Sequence, residues 1–174
     1  MSWEEISAIG NLIGGVAVVV SIIFLAIEVR HNTASNRLAT EKDIANAITT
    51  QIFLSTAATR LPYIYLRGTE DPSQLSEEEE GQFTFYVMGF LRLVQDAYDR
   101  YQEGNISERT WESIELLLMA HLSSDGMRAV WDVRSNTFKE EFRAYVNQLE
   151  IKDGLLPPAE ATRAIIHGRN YADS

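Results

Sequence analysis

The spacing of apolar residues changes character once along this chain. From residue 6 to residue 27 the only strongly polar side chains are Ser7, Asn11 and Ser21, and positions 16–20 are entirely apolar. At about 1.5 Å per residue, this run of about 22 residues makes roughly 33 Å of helix, enough to cross a hydrocarbon core of about 30 Å. It predicts a transmembrane helix. A secretory signal peptide also starts with an apolar run, but it needs a basic leader and a small-x-small cleavage site. Glu4 and Glu5 stand where the basic residues belong, and Glu28, Val29, Arg30 and His31 follow the run.

Beyond residue 40 the pattern turns amphipathic. No glycine or proline lies between Gly15 and Pro62, so one long helix is expected to leave the membrane and pass through the weak helix formers at 31–36. Ile44, Ile48 and Ile52 give it an apolar stripe. Pro62 is expected to end it, with a loop over 68–76. Ser76-x-x-Glu79 reads as a capping box, and the acidic run 77–80 suits the positive end of a helix dipole. Phe83, Val87, Phe90, Val94, Ala97 and Tyr101 then mark a core-facing helix that stops at Gly104. Asn105 or Ser107 caps a helix carrying Trp111, Ile114, Leu118 and Leu122. Residues 123–125 open a shorter one with Met127, Val130 and Trp131. Thr137-x-x-Glu140 reads as a second capping box, before Phe138, Phe142, Tyr145 and Leu149. A short helix over 159–167 follows Gly154 and Pro157-Pro158. No strand pattern or internal repeat competes.

The expected fold is therefore all-α: one N-terminal transmembrane helix, continuous with a long cytoplasmic helix, followed by a small helical bundle. Its expected divisions are 1–30 for the outer N-terminus and span, 31–61 for a projecting cytoplasmic helix, 62–153 for the helical domain and 154–174 for a tail with a short helix.

No Lys or Arg precedes the span, whereas Arg30, Arg37 and Lys42 follow it. The positive-inside rule places the N-terminus outside and the C-terminal domain in the cytoplasm. Trp3 then belongs at the outer interface, and Glu28, Arg30 and His31 at the inner one. Within the span, Gly10, Gly14, Ala17 and Ser21 recur at spacings of four, three and four, so they share a helix face where a second backbone can approach. Glycine is also common in membrane helices in general. Whether the neighbour is a second copy or another membrane protein stays open.

Fifteen Lys and Arg against 25 Asp and Glu give a net charge of −10, which argues against nucleic acid as a partner, because phosphate binding needs a concentrated basic surface. There is no cysteine, so disulfides and thiolate metal sites are excluded. The three histidines, His31, His121 and His167, fall on different elements. Glu28-x-x-His31 has the spacing of a di-iron ligand pair, but such sites need a second pair and two more carboxylates; an interfacial ion pair explains it better. Asp96, Asp99 and Glu103 align with Arg92 opposite the apolar stripe and read as a solvated charged face rather than an acid-base pair. Tyr63, Tyr65, Phe83, Phe85 and Tyr86 are either core or an aromatic docking surface. No phosphate loop, dinucleotide fingerprint, nucleophile elbow or zinc-protease motif occurs. No cofactor, metal or catalytic residue is assigned.

The spacing of Tyr101-Gln102-x-Gly104, Trp111, Asp125-Gly126-x-Arg128-x-x-Trp131 and Phe138-x-x-x-Phe142 resembles a group of uncharacterised bacterial proteins with one N-terminal membrane helix and a helical cytoplasmic region. The resemblance implies bacterial origin and residence in the inner membrane, and it carries no activity. The expected function is that of a non-enzymatic, membrane-anchored protein acting in self-assembly or as an accessory or scaffold subunit. Its expected partners are membrane lipid and either a second copy or a membrane protein. An ion-conducting homo-oligomer lined by Asn11 and Ser21 is the alternative, and a metal-dependent membrane-bound enzyme is a third reading.

Overall fold

A computed structural model describes residues 3–57 and 60–167; for 4–13, 52–57 and 166–167 it describes the backbone alone. Among the described residues the fold is all-α, with no strand. The helices are α1 (Trp3–Ala57), α2 (Leu61–Glu70), α3 (Glu77–Gln102), α4 (Glu108–Leu122), α5 (Asp125–Arg134), α6 (Glu140–Gln148) and α7 (Pro158–His167), with 3-10 turns at Pro72–Gln74 and Ser135–Thr137. The chain forms two compact units, Met1–Ala39 and Thr40–Ser174.

Helix α1 continues through 31–36, where the sequence has weak helix formers but no glycine or proline. Thr33 Oγ1 donates to the Val29 carbonyl at 2.9 Å, one turn earlier. The stretch 31–61, read from the sequence as a projecting helix, is divided between the two units. From Thr40 onward it belongs with the bundle: Ile44 is 6% exposed in the core, Ile48 packs against it, and Glu41 Oε1 accepts the Ser107 N–H at 2.8 Å.

At the centre of the second unit lies α3, which touches α2, α4, α5 and α6. Its expected stripe is the buried one: Phe83, Val87, Phe90, Val94 and Ala97 are in the core, with Tyr101 packed at its edge. The capping box forms as read, with Ser76 N–H donating to Glu79 Oε2 at 3.0 Å and Glu79 N–H to Ser76 Oγ at 3.4 Å. At the other end Gly104 takes a φ of +73°; its N–H bonds Tyr101 O and the Asn105 N–H bonds Arg100 O, the double bond that closes a helix through a left-handed glycine. Ser107 is the cap of α4, its Oγ accepting the Thr110 N–H at 3.3 Å.

Two expectations fail locally. Pro62 is expected to end a helix and residue 68 to open a loop, but residues 61–70 form α2. Pro62 sits in the first turn, where a missing N–H is harmless, and Gly68 is a contact rather than a break. A Cβ on Gly126 would lie 1.7 Å from the Gly68 carbonyl oxygen, and one on Gly68 would lie 2.6 Å from the Phe83 ring. The two glycines let the backbones of α2 and α5 touch. The second failure is Thr137-x-x-Glu140. Thr137 lies in a 3-10 turn with its hydroxyl on Arg134 O, and α6 starts after Lys139 without a side-chain cap. Burying Phe138 against Trp131 at a ring separation of 5.3 Å keeps that residue extended and delays the helix.

Candidate functional site

The most distinctive surface is the exposed length of α1. It contains one helical segment that is long and apolar enough to cross a membrane. Its large apolar side chains from Val16 to Val29 are all between 55% and 68% exposed, from Ile23 to Phe24. They point in every direction around the axis, so no single face is reserved for the protein's own core. A soluble monomer seldom leaves so large a continuous apolar surface in water.

Along this helix Gly14, Ala17 and Ser21 share a face by their spacing. A Cβ on Gly14 would meet nothing within 4 Å, so the face is open to a neighbour. Ser21 Oγ donates to the Ala17 carbonyl at 2.8 Å, which satisfies the hydroxyl within its own helix. Gly10 lies in α1, but its surroundings, like the side chains of Ser7 and Asn11, fall outside the described residues. Trp3 is 84% exposed; Glu28, Arg30 and His31 are exposed as well. Trp3 and Glu28 stand about 38 Å apart along the axis, close to one bilayer with part of its headgroup layers.

In the bundle the candidate chemistry resolves into structural contacts. Asp96 pairs with Arg100 at 2.9 Å, Asp99 with Lys139 at 2.7 Å, and Glu103 accepts from Asn105 at 2.8 Å. Each carboxylate has its own partner, so the three do not act together. Within the acidic run, Glu79 carries the cap and faces Arg60 and Arg67 at 3.2 and 3.6 Å. The Ser76 N–H, followed by those guanidinium charges, holds its carboxyl below the ordinary range. His121 lies on the inner side of α4, stacked on Phe90 with ring centroids 4.3 Å apart. Its Nδ1 is 2.7 Å from the Leu117 carbonyl, which assigns the proton to Nδ1, and burial lowers its pKa. His31 is exposed on α1, and the side chain of His167 lies outside the described residues. Among the described residues no three His, Asp or Glu side chains sit close enough to hold a metal ion.

The five aromatic residues divide. Phe83 is buried, Tyr65 has a buried hydroxyl without a partner, and Tyr86 packs on Tyr65 at 4.9 Å. Tyr63 and Phe85 are 64% and 83% exposed. Phe85 belongs to a feature that sequence periodicity does not reveal. A groove of about 480 Å³ follows α3 from Glu77 to Arg92, with Arg134 and Thr137 on its far wall. A hollow of about 230 Å³, walled by α5, adjoins it and shares Glu80, Thr84 and Arg134. Its one signal in the sequence is Gly81, a glycine inside a helix whose missing side chain makes room for nothing in the chain itself. Comparison with protein-family models, with curated proteins and with solved structures returned no match to this chain.

Proposed function

We propose that this protein is a membrane-anchored interaction protein without enzymatic activity, in which α1 crosses a bacterial inner membrane and the helical bundle engages a protein partner on the cytoplasmic side. The observation that carries this reading is the exposed apolar length of α1, whose natural solvent is lipid. Arg30, Arg37 and Lys42 favour the orientation with the bundle in the cytoplasm. The open face of Gly14, Ala17 and Ser21, continued to Gly10 by its spacing, supports lateral association within the bilayer.

Fractionation of the expressed full chain tests the anchor. Retention in the membrane pellet through alkaline carbonate, at the full-length mass, is the expected result; release by carbonate, or a mass lacking the first 30 or so residues, overturns it. Protease added to inside-out vesicles should digest the bundle, whereas in right-side-out spheroplasts the bundle should be protected.

A further inference from the structure

We infer that the α3 groove is a two-fold interface between copies of this chain, with the α3 helices of the two copies running antiparallel across each other. This deepens the proposed function by naming a partner and a surface outside the membrane segment, and it rests on that reading only for the tether that concentrates the copies.

The observation is a self-complementary order of residues. The α3 residues that line the groove are Glu77, Glu80, Gly81, Thr84, Phe85, Met88 and Arg92. A two-fold axis through the midpoint between Thr84 and Phe85 sets Glu77 opposite the second copy's Arg92, Gly81 opposite its Met88, and Thr84 opposite its Phe85. Glu80 has no such mate in the groove; with Arg134 it also lines the adjoining hollow. Across the three mated pairs acid meets base and small residues meet large ones, the self-complementarity that an isologous contact requires.

Three independent features agree. First, Gly81 is a poor helix former inside α3, yet a Cβ there would meet nothing within 4 Å. The other bundle glycines have reasons inside the chain: close contacts at Gly68, Gly89 and Gly126, and left-handed φ at Gly104 and Gly154. Second, Arg92 is held ready. Its guanidinium lies 4.3 Å over the Phe138 ring and donates to Thr137 O at 2.8 Å, but neither it nor Arg134 nor Glu77 nor Glu80 forms an ion pair among the described residues. Third, these two acids and two bases sum to zero on a chain whose net charge is −10, so the groove itself adds no net charge to the repulsion between two acidic copies. The charges set the register more than the affinity, since exposed pairs contribute little. The groove is also smaller than a stand-alone interface of roughly 800 Å² per partner. Confinement to one membrane raises the effective concentration enough for a modest contact to persist.

The chain has no cysteine, so single cysteines report the register directly. Purified full-length protein in mild detergent is oxidised gently and the disulfide-bridged dimer is quantified. Thr84→Cys should bridge to itself. Glu77→Cys and Arg92→Cys should each fail alone, their own copies lying about 22 Å apart along the axis, and should bridge when mixed. Glu112→Cys, exposed on α4, is the collision control. Adding Gly81→Leu should leave the thermal midpoint within a few degrees and lower the Thr84→Cys bridge about tenfold. As a second route, Glu77→Arg alone should weaken the bridge, and Glu77→Arg with Arg92→Glu should restore it. Bridging of Glu77→Cys to itself, equal bridging at Thr84→Cys and Glu112→Cys, or a bridge indifferent to Gly81→Leu overturns the interface. Because the measurement is made on purified protein, its failure is separate from failure of the fractionation test of the anchor.

Discussion

His121 shows how one buried side chain gives the bundle a pH dependence. Its ring is stacked on Phe90, its Nδ1–H is committed to Leu117 O, and the neighbouring Tyr65 ring at 6.2 Å offers no negative charge. Burial therefore disfavours the imidazolium and depresses the folded-state pKa. In the unfolded chain the same ring takes a proton near pH 6.5. As pH falls through about 6.5 the unfolded state binds a proton that the folded state refuses, so stability is lost from there down to the folded pKa. The urea midpoint of the full chain in detergent should fall between pH 7 and pH 5, and His121→Phe should flatten that slope. Glu79 acts in the same direction from a lower starting point: its lowered pKa means that its contribution is present above the usual carboxylate range and is lost as pH falls below it towards the folded-state pKa. The sequence shows neither partner of His121: a lone histidine on an otherwise apolar face could be core or ligand until Phe90 is placed against it.

At the scale of elements, the α2–α5 crossing is the least tolerant contact. Gly126→Ala should cost about 3 kcal/mol, at the upper end for overpacking, because the new methyl would meet a carbonyl oxygen rather than a flexible side chain. Denaturant unfolding measures it, and a loss under about 0.5 kcal/mol would show that the crossing relaxes freely. Helices with one strong face were legible from spacing. The stripe from Phe83 to Ala97 and the stripe from Trp111 to Leu122 are buried where periodicity put them, and Gly104 ends α3. Helix α2 was not legible, because Pro62 and Gly68 are breakers in local statistics and become assets only when the first turn and the α5 backbone are known. The false box at Thr137 has the same origin: local hydrogen bonding there yields to the burial of Phe138, a long-range demand.

For the molecule as a whole, the long apolar helix was the easiest feature to read and the groove the hardest. An apolar run of sufficient length is a property of consecutive residues, whereas the groove exists only because Arg134 and Thr137 come to lie beside α3. The tail of α1 has a different consequence, which concerns portability. Ile44, Ile48 and Glu41 lie on the helix that begins as the apolar segment, yet they complete the bundle's core and meet the Ser107 N–H. The apolar segment and the bundle are thus not two cassettes joined by a disposable linker. A chain starting at Thr40 should fold cooperatively in detergent-free buffer, whereas one starting at Leu61 should lose about 3 kcal/mol through the missing isoleucine and hydrogen bond. Equal urea midpoints for the two would show that the bundle can do without that tail. Any exchange of the apolar segment for another must therefore keep the helix from Thr40 onward, and a swap made at the end of α1 takes part of the bundle's foundation away with it.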